Sequence, residues 1–441
     1  MTHHSVTRCD VAVVGAGIAG LAASVLLRAE GFSVVCVDGR PHPHQKVGES
    51  LDWSSPGLLG RLGLAADRLL AEGVATTKRR IVVYETGADP WGEAPPSFIR
   101  RSPLRFETET LHVDRTALDS RVFARAQEVG TSFVWEPVVR VERAGDRVTA
   151  CVTTSGRRVE ARWFVDASGT ARVFSRAMGI PIRPYGRPKV CLWTYFDTPP
   201  LHDGTAFFVD NRDEYLAWIW DIPITPGRTS VGLVLPADRV RELQRGGATV
   251  ASMLRDHLAR HPRFDALLET TPVLPVERVA FRPYVTASVC GGNWLLVGEA
   301  ASMPDPLTGN GVTSGIRHAR HAVEAIRAAG TGREIPLRRR RAYGRHVTRL
   351  GHAFNAHIER AIYRHELRHG LGLRTAVYVY TLFAFFINAL HARFDPRGAA
   401  GMAVFGVLFA GALAWIEGWG MVARVALWCR RPGVGSLNGE R

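Results

Sequence analysis

Three stretches hold residues whose types and spacing could do chemistry. Gly15, Gly17 and Gly20 form GAGIAG, and Asp38 closes the apolar run SVVCVD. At that spacing the first glycine permits a tight turn and the second lets the backbone approach a pyrophosphate. The third lets a helix pack closely on a strand. The helix N-terminus then faces the phosphate charge, and the carboxylate can accept hydrogen bonds from ribose hydroxyls. AWIWDIP, residues 217–223, puts the indoles of Trp218 and Trp220 on one face of a strand. They are either two core side chains or the wall of a cofactor site. Lys78 stands in KRR, which taken alone reads as a solvated charge cluster. A fourth stretch is a formal match only. His365, Glu366 and His369 make an HExxH, which on a helix would turn two imidazoles toward zinc. No third ligand follows, and a chain with 16 histidines produces such matches by chance, so no metal is expected. The pairs Asp89/Glu93 and Glu107/Glu109 sit in or beside a Pro-rich stretch and read as solvated surface.

These residues need elements to hold them. DVAVVGAG, IAGLAASVLLRAEG and SVVCVDG read as strand, helix and strand, a βαβ unit. Proline and glycine are dense over 86–103, marking a long loop or lid. Helical periodicity returns over 111–130, and strand-like runs lead to FVDASG at 164–169. Short β-type runs rich in Val, Trp, Tyr and Phe fill 188–236. NWLLVGEA, residues 293–300, reads as a buried strand entering a Gly-rich turn, with a helix over 312–329 after it.

Hydrophobic residues at 46% and charged residues at 22% describe a folded chain and exclude wholesale disorder. Lys and Arg outnumber Asp and Glu 56 to 41, leaving a net charge of +15. Such a field favours an acidic polypeptide or an anionic membrane surface. No stretch resembles a nucleic-acid-reading module, so nucleic acid is not an expected partner. The six cysteines are scattered without a CxxC pair and read as reduced core residues of a cytoplasmic chain. The start, MTHHSVTRCD, lacks the apolar stretch of a signal peptide. Residues 375–390 and 398–416 are uncharged, and only the second reaches a length that could span a bilayer. A buried helical hairpin and peripheral membrane contact both stand as readings of this tail.

Beyond the glycine loop, several segments resemble the flavin-dependent halogenases and the group A flavin monooxygenases. VGESL, with Gly48, Glu49 and Ser50, resembles the segment those proteins place beside the flavin. Arg115 in HVDRTALDSRV resembles their helix-opening arginine, and FVDASG, with Asp166, resembles their second cofactor loop. NWLLVGEAASMPDPLTGNGVTSG resembles the third. There Gly298 and an acidic residue would meet the ribityl chain, and the turn with Pro306, Gly309, Asn310 and Gly311 would meet the isoalloxazine. Glu299 stands where the family usually has Asp. AWIWDIP resembles the halogenase signature Gly-Trp-x-Trp-x-Ile-Pro, with Ala217 replacing the glycine. Lys78 lies 29 residues after Glu49, much where halogenases carry the lysine that binds hypohalous acid and delivers it to a ring. Gly309 and Asn310 replace the Ser-Ser or Ser-Thr pair beside the halide and look closer to hydroxylases.

The resemblance covers about residues 8–330 and implies an FAD cofactor. It implies an α/β fold, a Rossmann-like FAD-binding domain of the glutathione-reductase type, with an inserted β-rich substrate domain and a helical C-terminal region. The expected segments are 1–85, 106–182 and 281–330 for the FAD-binding domain, 86–105 for the lid, 183–280 for the substrate domain and 331–441 for the helical tail. The implied activity is oxidation of an electron-rich aromatic ring by reduced flavin and dioxygen, through a flavin hydroperoxide. Hydroxylation leads narrowly, on the altered loop and the basic surface. Its substrate would be an indole, or a tryptophan within an acidic polypeptide, as in quinone-cofactor biogenesis. Halogenation of an indole, phenol or pyrrole through Lys78 stands next, and a geranylgeranyl-reductase-like activity third. No second nucleotide fingerprint is visible, so a separate flavin reductase and NAD(P)H both stand as electron sources.

Overall fold

The computed structural model describes residues 5–41, 46–86, 104–199, 202–211, 215–363, 365–373 and 399–429, with a few more between 375 and 382. Most of the 86–105 lid and of the 375–390 stretch lies outside the described residues, as do Asp89 and Glu93 and the side chains of His365 and Glu366.

The apolar run ending at Val14 is the middle of a seven-stranded sheet. Val6–Val14 pairs in parallel with Val34–Val37 on one side and with Arg158–Asp166 on the other. Ser132–Val134 and Trp294–Leu296 extend the parallel part, and Arg147–Thr153 and Val138–Ala144 continue it antiparallel. Parallel strands are apolar on both faces and need helices as cover. The helices Ile18–Ala29 and Gly311–Ala329 supply it and pack on each other. The strands ending at Val14, Val37, Asp166 and Leu296 therefore bring their C-terminal ends to one edge, where open α/β sheets bind ligands. The helical period over 111–130 resolves into strand up to Val113 and helix over Arg115–Glu128. Asp114 makes the switch, its carboxylate accepting from Ala117 N at 3.0 Å as the N-cap.

The second seven-stranded sheet runs Glu277–Phe281, Lys189–Phe196, Arg228–Pro236, Ala217–Thr225, Gly204–Asp210, Ala75–Thr86, Leu104–Val113. Its strands thus come from two distant parts of the chain. In register, Trp220 lies opposite Phe207 and Phe207 opposite Val83, one row across three strands. Alternation sends Trp218, Trp220 and Ile222 to a core shared with Ile358 and Ile362 of the helical tail. Ala217 and Ile219 face a second core with Met253, Leu254 and Leu258. Both faces are covered, which is why Ala217 to Ile224 are all buried, Asp221 among them. A small sheet of Ile182–Pro184, Tyr284–Thr286 and Ser302–Met303 lies beside the Gly-rich turn.

The tail is helical over Leu337–Ile358, passes through a π-helical turn at Glu359–Tyr363, and resumes at His365–Gly370 and Ala399–Cys429. No helix among the described residues is long and apolar enough to cross a membrane. Cys36, Cys151 and Cys191 are buried, but Cys429 is exposed, because it sits at the end of a surface helix. The reading of all six cysteines as core residues is corrected at that position.

Candidate cofactor and substrate site

The glycine loop shows what each of its glycines is for. A Cβ on Gly15, at φ +107°, would lie 2.3 Å from the Ala167 carbonyl oxygen, and one on Gly20 would lie 1.9 Å from Gly15 O. At Gly17 a Cβ would meet only Lys46 Nζ, at 3.4 Å, so the loop there faces open space. The helix beginning after Gly17 has no capping side chain, which leaves its first N–H groups free to meet an anion. Asn310, at the N-cap of Gly311–Ala329, likewise leaves that helix uncapped and accepts from Thr308 Oγ1 at 2.8 Å instead. Glu299 is exposed to solvent though ringed by protein, as the floor of a groove must be. A Cβ on Gly169 would lie 3.7 Å from its Oε2. Desolvation raises its carboxyl, with Arg115 and Lys46 opposing. A groove with glycine walls, two uncapped helix ends, a lysine and an acidic floor fits a dinucleotide.

Three of the sequence-chosen residues turn inward to shape this groove. Asp38 accepts from Ala16 N at 2.6 Å and Arg40 N at 3.0 Å, tying the second strand to the glycine loop. Asp166 is fully buried, and its oxygens accept from Ser168 N at 2.9 Å and Phe174 N at 2.8 Å. Arg115 is buried and forks onto Asp119 at 3.1 and 3.2 Å while donating to the Val47 carbonyl at 2.8 Å. It thereby holds the Val47–Ser50 segment in place. Gly298, at φ +58°, lies close against Ala19, where a Cβ would come within 2.9 Å. Pro306 opens a 3₁₀ turn that Asp305 caps, and a Cβ on Gly309 would lie 3.4 Å from Ser50 O. The Pro306–Gly311 turn therefore lies against Ser50.

The tryptophans stand between these two cofactor segments. Trp218 and Trp220 are buried, with ring centroids 5.9 Å apart, and each indole N–H has one hydroxyl partner. Trp220 Nε1 donates to Ser230 Oγ at 3.0 Å, and Glu49 Oε1 accepts from Ser230 Oγ at 3.4 Å and from Tyr195 OH at 2.9 Å. Burial raises the Glu49 carboxyl. Gly232 makes room for the Trp220 ring, which a Cβ there would meet at 2.2 Å. Trp218 Nε1 donates to Tyr363 OH at 3.1 Å, and that hydroxyl donates to Asp305 Oδ1 at 3.0 Å. Asp305 Oδ2 and a Glu359 oxygen each lie 3.2 Å from Lys189 Nζ, which also sits 3.9 Å over the Tyr363 ring. One indole is thus fastened to the VGES segment and the other to the Asp305 turn.

Lys78 is no member of a solvated cluster. A bulge between Lys78 and Arg80 sends the arginine outward to Asp203, at 2.7 Å, and the lysine inward, where it is 6% exposed. Its amine donates to Ser50 Oγ at 2.9 Å and to the Leu51 carbonyl at 3.3 Å. Ser50 Oγ shares a hydrogen bond with Thr205 Oγ1 at 3.0 Å, and Thr205 shares one with His112 Nε2 at 2.8 Å. Thr205 lies two residues before Phe207, on the tryptophan-bearing face. Desolvation pulls the Lys78 amine down to about 8, only partly opposed by Asp52. Burial, with Lys78 and His202 nearby, holds the His112 ring well below its usual range and therefore neutral.

The chosen residues thus converge in one place. Sequence reasoning missed Lys46, His112, Lys189, Tyr195, Thr205, Ser230, Asp305 and Tyr363. A lysine opening the strand KVCLWTYF, every residue of which is buried, was a usable signal for Lys189. Nothing in the tail marks Tyr363.

A family profile described as "FAD binding domain" matches residues 8–337. The chain is 27% identical over 340 residues to the tryptophan 2-halogenase of Chondromyces crocatus, covering 73% of this chain and 62% of that protein. It is also 27% identical over 341 residues to the menaquinone reductase of Mycolicibacterium smegmatis, covering 74% of this chain and 78% of that one. Among solved structures, the halogenase PltM in complex with phloroglucinol and FAD shares the fold, with a TM-score of 0.74 at 16% identity over 96% of this chain and 93% of the other.

Proposed function

The chain belongs to the FAD-binding family that contains flavin-dependent halogenases and FAD monooxygenases, and from that premise we propose that it halogenates an electron-rich aromatic ring through Lys78. The observation that carries this reading is the Lys78 amine. It is buried and, among the described residues, hydrogen-bonded to the neutral oxygens of Ser50 and Leu51, next in the chain to the Glu49 that holds Trp220's partner Ser230, and its basicity is pulled down to about 8. Reduced FAD, when bound, supplies with dioxygen the two-electron oxidation that converts halide to hypohalous acid.

The protein's own residues do the rest. Near neutral pH a useful fraction of Lys78 is the free amine, which can take the halogen as its N–H proton leaves with hydroxide as water. The halogen passes to a ring carbon, the N–halogen bond breaks, and the displaced ring proton restores the amine. Ser50 Oγ accepts from Nζ and is itself held by Thr205 and His112, which keeps the amine in place. Trp218 and Trp220 exclude water along the way, which protects the oxidant from hydrolysis. The ring to be halogenated is an indole, phenol or pyrrole, free or carried by a partner.

Hydroxylation is the second reading, and the Gly309-Asn310-Gly311 loop favours it. Asn310 directs its amide oxygen to Thr308 and offers no hydroxyl for a halide. A single turnover of chemically reduced enzyme with dioxygen, with and without bromide, separates the two. A brominated indole lost in Lys78→Ala supports halogenation. A gain of oxygen that ignores bromide and survives Lys78→Ala overturns it in favour of a monooxygenase.

A further inference from the structure

A helix apolar on every side belongs in a core or in lipid. Ala399–Cys429 comes close to this, with Glu417 and Arg424 as its charged residues, and among the described residues the fold covers one side of it. Leu408 and Trp419 pack on the core that holds Trp218 and Trp220, and Ala423 is buried against Gly370. Glu417 is ion-paired with Arg360. Among the described residues the other side is exposed. Val407, Trp415, Met421, Val422, Val425 and Trp428 are 40 to 73% exposed, six of the eleven large apolar side chains on the described surface that are so exposed. They extend over about 32 Å of helix. Trp415 stands in the first half of this strip and Trp428 at its end, with Arg424 exposed between them.

We propose that this face is a membrane-docking surface, on which the helix lies flat in the headgroup region of an anionic lipid bilayer. Tryptophans with an apolar body and a polar N–H favour that depth, and the aliphatic side chains between them reach the acyl boundary. Charge selects the partner. The chain carries +15, and its sequence continues from this helix with Arg430 and Arg431. A second copy set on the same strip would bring two bodies of +15 together, whereas anionic headgroups attract both. The docked helix would then touch lipid on one side and, through Leu408 and Trp419, the core that holds Trp218 and Trp220 on the other. Its apolar ring substrate could arrive through the membrane.

The test uses the full FAD-loaded chain and floats it with vesicles of phosphatidylcholine alone or with added phosphatidylglycerol. The expected result is binding to the phosphatidylglycerol vesicles, weakened by salt and reduced about tenfold or more in Val425→Asp/Trp428→Asp. A second readout needs no loss of binding. Brominated acyl chains should quench wild-type tryptophan emission, and the quenching should fall in Trp415→Phe/Trp428→Phe, which still binds. Failure of the wild type to bind either vesicle overturns the proposal, as does equal binding to both. So does unchanged binding of the aspartate variant. A wild-type dimer that the aspartate pair converts to monomer would assign the face to a second copy. None of these outcomes depends on whether the enzyme halogenates.

Discussion

Lys78 and Lys189 lie in the same sheet and are buried to nearly the same degree, at 6% and 4% exposure. Their surroundings are opposite. Lys189 is clamped between Asp305 and Glu359, each at 3.2 Å, and roofed by the Tyr363 ring. Lys78 meets a hydroxyl and a carbonyl, with no carboxylate in contact among the described residues. A buried cation with its counter-charges is a structural fastener, and removing one partner strands the others. A buried amine without them is held at a cost in stability, which marks it as a site of chemistry.

Three substitutions press on that contrast, one of them in two ways. The largest effect is on activity. Lys78→Met should lower single-turnover bromination about a thousandfold or more while leaving FAD bound, as read by product mass and flavin absorbance. Bromination that survives would make the two lysines alike after all. Next comes stability. Lys189→Met leaves Asp305 and Glu359 without their cation and should lower the unfolding free energy by about 3–5 kcal/mol in denaturant titrations. A loss no larger than that of an exposed pair would show that the clamp is not buried in solution.

Lys78→Met should do the reverse. It removes a desolvated charge at the loss of two hydrogen bonds, and at neutral pH should raise stability by about 1–2 kcal/mol. The sign of the pH dependence follows. The folded amine has its pKa below the unfolded value of about 10.4, so between about pH 8 and that value the unfolded chain binds more protons. Wild-type stability should therefore gain on the methionine variant as pH rises through this window, by about 3 kcal/mol at most. A difference that is flat with pH would sink the depressed amine. The smallest effect belongs to the hydroxyl that ties Trp218 to the Lys189 clamp. Tyr363→Phe removes the hydroxyl joining Trp218 to Asp305 and should lower stability by about 1–2 kcal/mol. It should also release more hydrogen peroxide per turnover as the wall loosens. A change in stability alone would reduce Tyr363 to packing.

How much of this was legible in the sequence depended on how local the cause is. Gly15, Gly17 and Gly20 act through their own backbone, so their spacing was enough. Strand alternation correctly put Trp218 and Trp220 on one face. What fastens them was hidden, because Trp218 finds its partner 145 residues away in a π-helical turn of the tail. Lys78 was hidden differently. The triplet KRR looks uniformly polar, and only the bulge that turns Arg80 outward to Asp203 reveals that its first residue points inward. Arg115 opens a helix and Asp166 ends a strand, and their hydrogen bonds shape the loops around the groove. The sequence pattern located those residues without disclosing what they hold.

The chain contains three lysines, Lys46, Lys78 and Lys189, and all three border this site. That makes one experiment unusually direct. Protein labelled with carbon-13 at lysine Cε gives three side-chain signals, which can be followed by NMR as pH is raised. The signal missing in Lys78→Met is predicted to titrate near pH 8. A midpoint near the usual lysine value of about 10.4 would contradict the claim that Lys78 offers a free amine to the halogen.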